Sequence, residues 1–270
     1  MPRVRKIDGV PTKPSPKDVE ILVLGFSRTG TFSLKNALEK LGYTPYHMSV
    51  ALGSVKEGHL AFWEEALRAK YLGDGKPYGK EEFDKFLGNF DVLEDIPSIM
   101  FADELLEAYP NAKVILTNRP VKPWLKSMNS TFYTVTEWKT LPILAAIDNK
   151  FWGPYTRILR IIMTHWGNGN PSDRMALQKT YLDHYAHVRS VVPPSKLLEF
   201  ESQQGWTPLC EFLSKEIPDE EYPRINDSAT TVKIHSFVYW IRLVKTSWVP
   251  LSAIAVLGVA TWKGMAVGRR

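Results

Sequence analysis

The sequence predicts an α/β protein in three layers, with a central parallel sheet covered by helices on both faces. Short apolar runs, the size of buried strands, alternate with longer segments whose apolar residues recur at helical spacing. The 270 residues, 44% of them hydrophobic, are enough to bury one core. The first strand, the loop after it and the first helix together span residues 19–42, and the other elements are arranged around this pattern.

Residues 19–42 read VEILVLGFSRTGTFSLKNALEKLG. The run from Val19 to Leu24 predicts a buried parallel strand, because it is short and rich in β-branched and leucine side chains. Residues 25–31 form a loop bounded by glycines, and the apolar spacing after it predicts a helix that ends at Gly42. This order points backbone N–H groups and a helix N-terminus into one concavity, which predicts a phosphate site.

The loop over 25–31 nearly matches the phosphate-loop pattern G-x-x-x-x-G-K-[ST]. Gly25 and Gly30 fit, but Thr31 stands where the lysine belongs, and the cation lies inside the loop as Arg28. Because the usual hydroxyl ligand of Mg²⁺ is also out of place, we expect the loop to hold an anion without a metal. The alternative is an ordinary strand-to-helix turn whose glycines serve packing.

The remaining elements follow the same alternation of strand and helix. We predict extended segments at 43–47, 90–93, 113–117 and 196–200, and helices over about 62–70 and 100–108, from about 123, and over 174–190 and 206–214. Asp173 is placed to cap the longest of these helices. His184 and His187 lie three residues apart on that helix, but the pattern offers no third ligand, so we expect no metal site there.

Charge and cysteine content limit the function classes. The net charge of +5 suits a polyanionic small molecule or an anionic membrane surface and is too diffuse for nucleic acid. The one cysteine, Cys210, leaves no internal disulfide, as is usual in a reducing compartment. Residues 1–18 carry prolines and charges without an apolar core, which predicts a flexible N-terminal arm instead of a targeting signal, and a cytoplasmic protein.

Residues 132–166 form a helical region with an unusual number of aromatic side chains. Core packing accounts for any one of them. Together they also suit an apolar pocket above the phosphate site, and both interpretations remain open.

Residues 247–262, SWVPLSAIAVLGVATW, are uncharged and have basic residues on both sides. In a continuous helix Trp248 and Trp262 would lie about 21 Å apart, as interfacial anchors do. The run is just below the ~17–25 residues that a membrane span needs, and Pro250 interrupts it. A membrane anchor within 233–270, a buried hydrophobic helix and a helix in the membrane plane remain as alternatives.

The chain resembles the PAPS-dependent sulfotransferases (PAPS is 3′-phosphoadenosine 5′-phosphosulfate). It is most similar to a branch of fungi and animals whose first loop reads G-x-x-R-T-G-T-x-S-L. The similarity covers about residues 21–227, and it implies a P-loop-type domain over 19–232. The matching blocks, in the same order, are Leu41-Gly42-Tyr43, Tyr46-His47-Met48, residues 109–117, 119–127 and 205–213, Tyr222-Pro223 and Asn226-Asp227.

The resemblance implies a site for PAPS in which different residues hold the two phosphate-bearing ends of the molecule. The 5′-phosphosulfate would be held by the first loop, namely Arg28, Thr29, Gly30, Thr31, Phe32 and Ser33. Arg119 and Ser127 would hold the 3′-phosphate, with guanidinium and hydroxyl donors that suit phosphate oxygens. Their spacing agrees, because Arg119 leaves a strand end and Ser127 lies about one turn into the next helix. Taken singly, Arg119 would be read as a surface ion pair and Ser127 as part of a solvated helix face.

The resemblance also suggests the catalytic groups. The position that a histidine holds in cytosolic sulfotransferases is Asp95 here, at the end of a strand beside Glu94. A carboxylate there can take the proton of an acceptor hydroxyl. Arg28 and the loop amides would stabilise the charge on the departing phosphate, and no metal is required. His47 is the rival base, and a cap of the following turn is the third interpretation of Asp95.

Two departures from the family pattern leave rival functions open. Arg119-Pro120 replaces the usual Arg-Asp-Pro, and the Arg-Lys-Gly element of cytosolic sulfotransferases has only Arg224 as a loose counterpart. The rivals are a nucleotide-dependent kinase or phosphohydrolase and a membrane-tethered nucleotide-binding protein without catalysis. For a sulfotransferase, the second product is 3′,5′-ADP, and the aromatic region favours a small apolar alcohol or phenol, such as a secondary metabolite, as acceptor.

Overall fold

The computed structural model describes residues 5–225, 232–233 and 235–244. Within them the strands are β1 (Ile21–Val23), β2 (Pro45–Tyr46), β3 (Val92–Glu94), β4 (Lys113–Thr117) and β5 (Leu197–Phe200). They form one parallel sheet in the order β2-β3-β1-β4-β5. The predicted α/β fold with a central parallel sheet is confirmed.

Helices cover both faces of this sheet. In chain order they are α1 (Thr31–Lys40), α2 (Met48–Gly53), α3 (His59–Leu72), α4 (Lys80–Leu87), α5 (Ala102–Ala108), α6 (Val121–Met128), α7 (Thr134–Thr136), α8 (Leu141–Ile147), α9 (Trp152–Trp166), α10 (Arg174–Val191), α11 (Trp206–Leu213) and α12 (residues 235–244). As predicted, Asp173 caps α10, and its carboxylate accepts hydrogen bonds from the amides of Met175 and Ala176, both at 2.9 Å.

Among the described residues, none of the helices combines the length and apolar character that a membrane crossing requires. The hydrophobic run at 247–262 lies outside the described residues, so its predicted helix and membrane anchor stay predictions.

Residues 5–18 contact the domain, whereas composition led us to expect a flexible arm. A short 3-10 helix spans Lys6–Gly9, and Ile7 within it is fully buried. The amides of Lys6 and Ile7 donate to the carboxylate of Glu65 on α3, at 2.6 and 3.2 Å. Ile7 anchors this segment, and ion pairs of Arg5 with Glu82 and of Lys17 with Asp91, both at 2.9 Å, add to the hydrogen bonds with Glu65. Such scattered contacts give no recognisable pattern in a proline-rich stretch.

The order of the strands predicts a crevice at the carboxyl ends of β1 and β4. β1 lies between β3 and β4, with Ile21 opposite both Val92 and Lys113. The chain leaves β1 towards β2 on one side, and it leaves β4 towards β5 on the other. In parallel sheets, ligands bind where two such connections diverge at the carboxyl ends of the strands.

Gly25 lets the loop after β1 lie against the end of β4. A Cβ at this position would lie 2.0 Å from Oγ1 of Thr117 and 2.7 Å from its backbone N and O. The backbone atoms of Thr117 cannot move away from the added Cβ without displacing β4. We therefore expect Gly25→Ala to lower the free energy of unfolding by about 2 kcal/mol or more. Urea unfolding measures this loss. Gly53→Ala is the control, since a Cβ there meets nothing within 4 Å; equal stability of the two variants would contradict the packing argument.

A buried histidine gives the fold a pH dependence. Trp63 donates to the hydroxyl of Tyr46 at 2.9 Å, and this hydroxyl lies 3.0 Å from Nδ1 of His59. Burial lowers the pKa of His59 from 6.5 to about 4, so the unfolded chain binds the extra proton between these values. Stability is therefore full above pH 6.5 and falls as the pH drops towards 4, by up to about 3 kcal/mol.

Unfolding free energies measured between pH 7 and 4.5 test this contribution. We expect the slope against pH to become shallower in His59→Asn by up to about 1.4 kcal/mol per pH unit. An unchanged slope in the variant would show that His59 does not titrate in this way.

Candidate functional site

Aromatic side chains fix the loop that follows β1. The indole of Trp124 donates to the carbonyl of Ser27 at 2.9 Å, and the hydroxyl of Tyr185 accepts from the amide of Phe26 at 3.2 Å. The ring of Phe26 stacks on Trp166 with centroids 4.5 Å apart. The loop is therefore held by α6, α9 and α10 without needing a ligand to order it.

The loop ends in a turn that leads directly into α1. Arg28 and Gly30 adopt left-handed backbone conformations, with φ of 72° and 104°, and α1 begins directly after them. The amides of Thr31, Phe32 and Ser33 lie in the first turn, where a helix offers no acceptor for them. No acidic residue lies in this turn. The charge of this helix N-terminus suits an anion, and the phosphate site that the sequence predicts here stays a prediction.

The structure brings Arg28, Arg119 and Ser127 together from three segments. Nε of Arg28 donates to Oγ of Ser127 at 3.1 Å, and Nη1 of Arg119 donates to the carbonyl of Arg28 at 3.0 Å. Ser127 is buried on α6, and both arginines are half-buried. The carbonyl of Arg119 in turn accepts from the hydroxyl of Tyr181 at 2.8 Å. Two guanidinium groups and a hydroxyl thus meet at the crevice between β1 and β4.

Two hydroxyls of the predicted donor site have other partners. Thr29 donates to the carbonyl of Phe26 at 2.6 Å and lies 2.6 Å from Oγ1 of Thr117. The hydroxyl of Ser33, also buried, accepts from the amide of Ile225 at 3.0 Å. Thr29 thereby shapes the loop, and Ser33 holds the chain before residue 226 against α1.

The carboxylate of Asp95 lies beside this loop, directly after β3. It is 4% exposed, and Asp95 adopts a left-handed backbone conformation with φ of 61°. Ser27 donates to one carboxylate oxygen, and Nε2 of His47 lies 3.1 Å from the other. Side chains that follow three different strands therefore meet at this carboxylate.

The hydrogen bonds of His47 identify its tautomer. His47 caps α2, and its Nδ1 accepts from the amide of Ser49 at 3.0 Å. A backbone N–H can only donate, so Nδ1 carries no proton and the proton of the neutral ring is on Nε2. Burial lowers the pKa of His47 against the opposing effect of Asp95, which favours the neutral ring. His47 therefore donates to Asp95, and the two groups form a pair.

The carboxylate of Glu94 differs from that of Asp95, the next residue in the chain, in its hydrogen bonds. Its side chain is fully buried, and neither carboxylate oxygen has a hydrogen-bond partner among the described residues. Burial, and to a lesser extent the charge of Asp95, raises the pKa of Glu94 well above its usual value. Of the two adjacent acids, Asp95 is the one with hydrogen-bond donors around it.

The aromatic region between 132 and 166 is mostly core. Its buried members are Tyr133, Phe151, Trp152, Tyr155 and Trp166. Burial raises the pKa of both Tyr133 and Tyr155, and for Tyr155 the charge of Asp95 adds to this effect. The hydroxyl of Tyr155 lies 2.8 Å from Nε2 of His235 on α12. Tyr155 therefore lies within the electrostatic field of the carboxylate.

Sequence reasoning missed several residues that shape this site. Ser27 and Phe26 lie inside the quoted loop, but only their contacts with Asp95 and Trp166 distinguish them from other loop residues. His184 donates to the carbonyl of Leu24 at 2.7 Å, while His187 pairs with Asp103 at 2.6 Å.

In the described part of the chain, no three histidine, cysteine or acidic side chains are grouped as a metal site.

Comparison with known proteins agrees with the resemblance seen in the sequence. Residues 20–231 match the family model described as a sulfotransferase domain. A protein of Aspergillus versicolor, "Ava biosynthesis cluster protein M", is 40% identical over 232 residues, which cover 83% of this chain and 87% of that relative. The family match spans most of the chain and includes Arg28, His47, Asp95, Arg119 and Ser127. The chain belongs to the sulfotransferase family.

Proposed function

We propose that the protein transfers the sulfuryl group of PAPS to a hydroxyl of a small, apolar acceptor. The observation that carries this proposal is the meeting of Arg28, Arg119 and Ser127 in one crevice, with the buried carboxylate of Asp95 bonded to Ser27 of the same loop. Phosphate-binding groups next to a carboxylate are the parts that sulfuryl transfer to a hydroxyl requires.

The residues at the crevice fit a donor with phosphates at both ends. The amides of α1 and the guanidinium of Arg28 would hold the 5′-phosphosulfate, while Arg119 and Ser127 would hold the 3′-phosphate. PAPS, when bound, supplies an activated sulfuryl group with a phosphate as leaving group. Arg28 and the amides would stabilise the charge that develops on the phosphate oxygen as its bond to sulfur breaks.

Asp95 would be the general base in this reaction. The acceptor oxygen attacks sulfur and forms the new S–O bond, its proton passes to Asp95, and the electron pair of the broken S–O bond goes to the 5′-phosphate. His47 and Ser27 would orient the carboxylate, because both donate to it. In neutral His47 the nitrogen that faces Asp95, Nε2, already carries a proton and cannot accept another. This favours Asp95 over His47 as the base.

The acceptor would be an apolar alcohol or phenol made by a biosynthetic pathway. Tyr155 is buried among aromatic side chains and lies within the field of Asp95. The name of the relative from Aspergillus versicolor refers to a biosynthesis cluster, which supports a secondary metabolite as acceptor.

Calorimetric binding of 3′,5′-ADP and of ATP, each with and without Mg²⁺, tests the donor assignment. We expect 3′,5′-ADP to bind at least tenfold more tightly than ATP, independently of Mg²⁺, because Arg119 and Ser127 need a 3′-phosphate. Tight, Mg²⁺-dependent binding of ATP without preference for a 3′-phosphate would instead identify a kinase or phosphohydrolase.

A further inference from the structure

One face of α12 exposes a row of apolar side chains. Phe237, Trp240, Ile241 and Val244 are 67%, 61%, 38% and 59% exposed. They are spaced by three, one and three residues, so they lie on one side of the helix. Apolar side chains scattered singly are normal on protein surfaces, but a continuous row on one helix face indicates a surface that is covered when the protein works.

The opposite face of α12 fixes which side points outward. Tyr239 is buried in the main core, and Val238 and Leu243 pack against the same core. Arg242 forms a two-pronged ion pair with Asp148, which follows α8. These contacts prevent the helix from rotating, so its exposed row cannot turn towards the protein interior.

The charge of the adjoining sequence indicates what covers this face. After Asp227 the chain has no further acidic residue, although 43 residues remain. The same segment has six basic residues: Lys233, Arg242, Lys245, Lys263, Arg269 and Arg270. The net charge of the whole chain is +5, so this segment accounts for all of its excess positive charge. Such a segment is attracted to a negatively charged surface.

The sequence after α12 continues the apolar character of its exposed row. Between Lys245 and Lys263 every residue is uncharged, and tryptophans stand near both ends of this run. Apolar side chains flanked by tryptophan and basic residues are typical of segments that lie in the interface of an anionic bilayer. A second copy of the chain is a poorer occupant, since pairing two such segments would bring like charges together.

We infer that the exposed face of α12 is a docking surface for an anionic membrane. Phe237, Trp240, Ile241 and Val244 enter the interface, and the positive charge of the sequence after Asp227 attracts this part of the chain to the lipid headgroups. His235 on the same helix lies 2.8 Å from the hydroxyl of Tyr155, so the docked helix is also in contact with α9.

Co-sedimentation of the full chain with vesicles tests this inference without any activity assay. We expect the protein to bind vesicles containing phosphatidylserine, and to bind pure phosphatidylcholine at least tenfold more weakly. Phe237→Ser/Trp240→Ser should reduce binding to the anionic vesicles at least tenfold. The matched control is Met175→Ser/Leu182→Ser on α10, which also removes two exposed apolar side chains, 76% and 48% exposed, and should bind as the wild type does.

Three results would overturn the inference. The wild type could stay in the supernatant with both lipids. The α12 variant could bind as tightly as the wild type, which would assign binding to other residues. The wild type could be a dimer that ignores vesicles and becomes monomeric in the α12 variant, which would make a second copy the occupant.

Discussion

Asp95→Asn is expected to lower the turnover number for sulfuryl transfer by about a thousandfold and to leave binding of 3′,5′-ADP within about threefold. The amide keeps the size of the carboxylate but cannot take the proton of the acceptor, and general base catalysis typically contributes 10²–10⁴-fold. The donor site should persist, because its arginines and helix amides lie on other elements. Release of 3′,5′-ADP gives the rate, and calorimetry gives the affinity.

A comparison with His47→Gln separates the two candidate bases. Glutamine keeps an N–H donor towards Asp95, so we expect a loss of only about tenfold if His47 positions the carboxylate. A loss as large as that of Asp95→Asn would contradict the assignment and would make His47 the base.

Arg28→Ala is expected to weaken binding of 3′,5′-ADP by about a hundredfold, and to lower turnover as well. In the proposed donor site the guanidinium would donate to the 5′-phosphate, and a hydrogen bond to a charged group contributes about 1.5–3 kcal/mol. Calorimetric titration with 3′,5′-ADP measures the loss. Arg28→Lys should lose about tenfold, since it keeps the charge without the fork of donors.

Lys122→Ala provides the matched control, because it removes one positive charge from an exposed position on α6. We expect this variant to bind 3′,5′-ADP as the wild type does. If Arg28→Ala bound with unchanged affinity, the loop after β1 would not be part of the donor site.

Local sequence patterns were sufficient to predict most of the fold. A short continuous apolar run identifies a buried strand such as β4, and apolar residues with a period near 3.6 identify a helix such as α10. The N-terminal segment was harder, because its apolar contacts with the core come from Ile7, which is buried, and Val10, which packs against the same cluster. The order of the strands was not predicted, because short apolar runs do not indicate which strands are neighbours in the sheet.

For the candidate site too, the sequence predicted some features and missed others. The glycine loop and Arg119 are visible as motifs, but the left-handed backbone of Arg28 and Asp95 leaves no sign in composition, since neither is glycine. His47 and Asp95 stood as rivals in the sequence because 47 residues separate them from each other. Folding places them 3.1 Å apart, where they act as a hydrogen-bonded pair.

The most direct test of the proposed function is the reaction of PAPS labelled with ³⁵S with a panel of apolar alcohols and phenols. We predict that 3′,5′-ADP and a labelled sulfate ester form in equal amounts with at least one acceptor, and that Asp95→Asn suppresses both products. If 3′,5′-ADP binds tightly but no acceptor is sulfated, the chain is a nucleotide-binding protein without catalysis. If PAPS is ignored and ATP is consumed with Mg²⁺, the assignment of the donor is wrong.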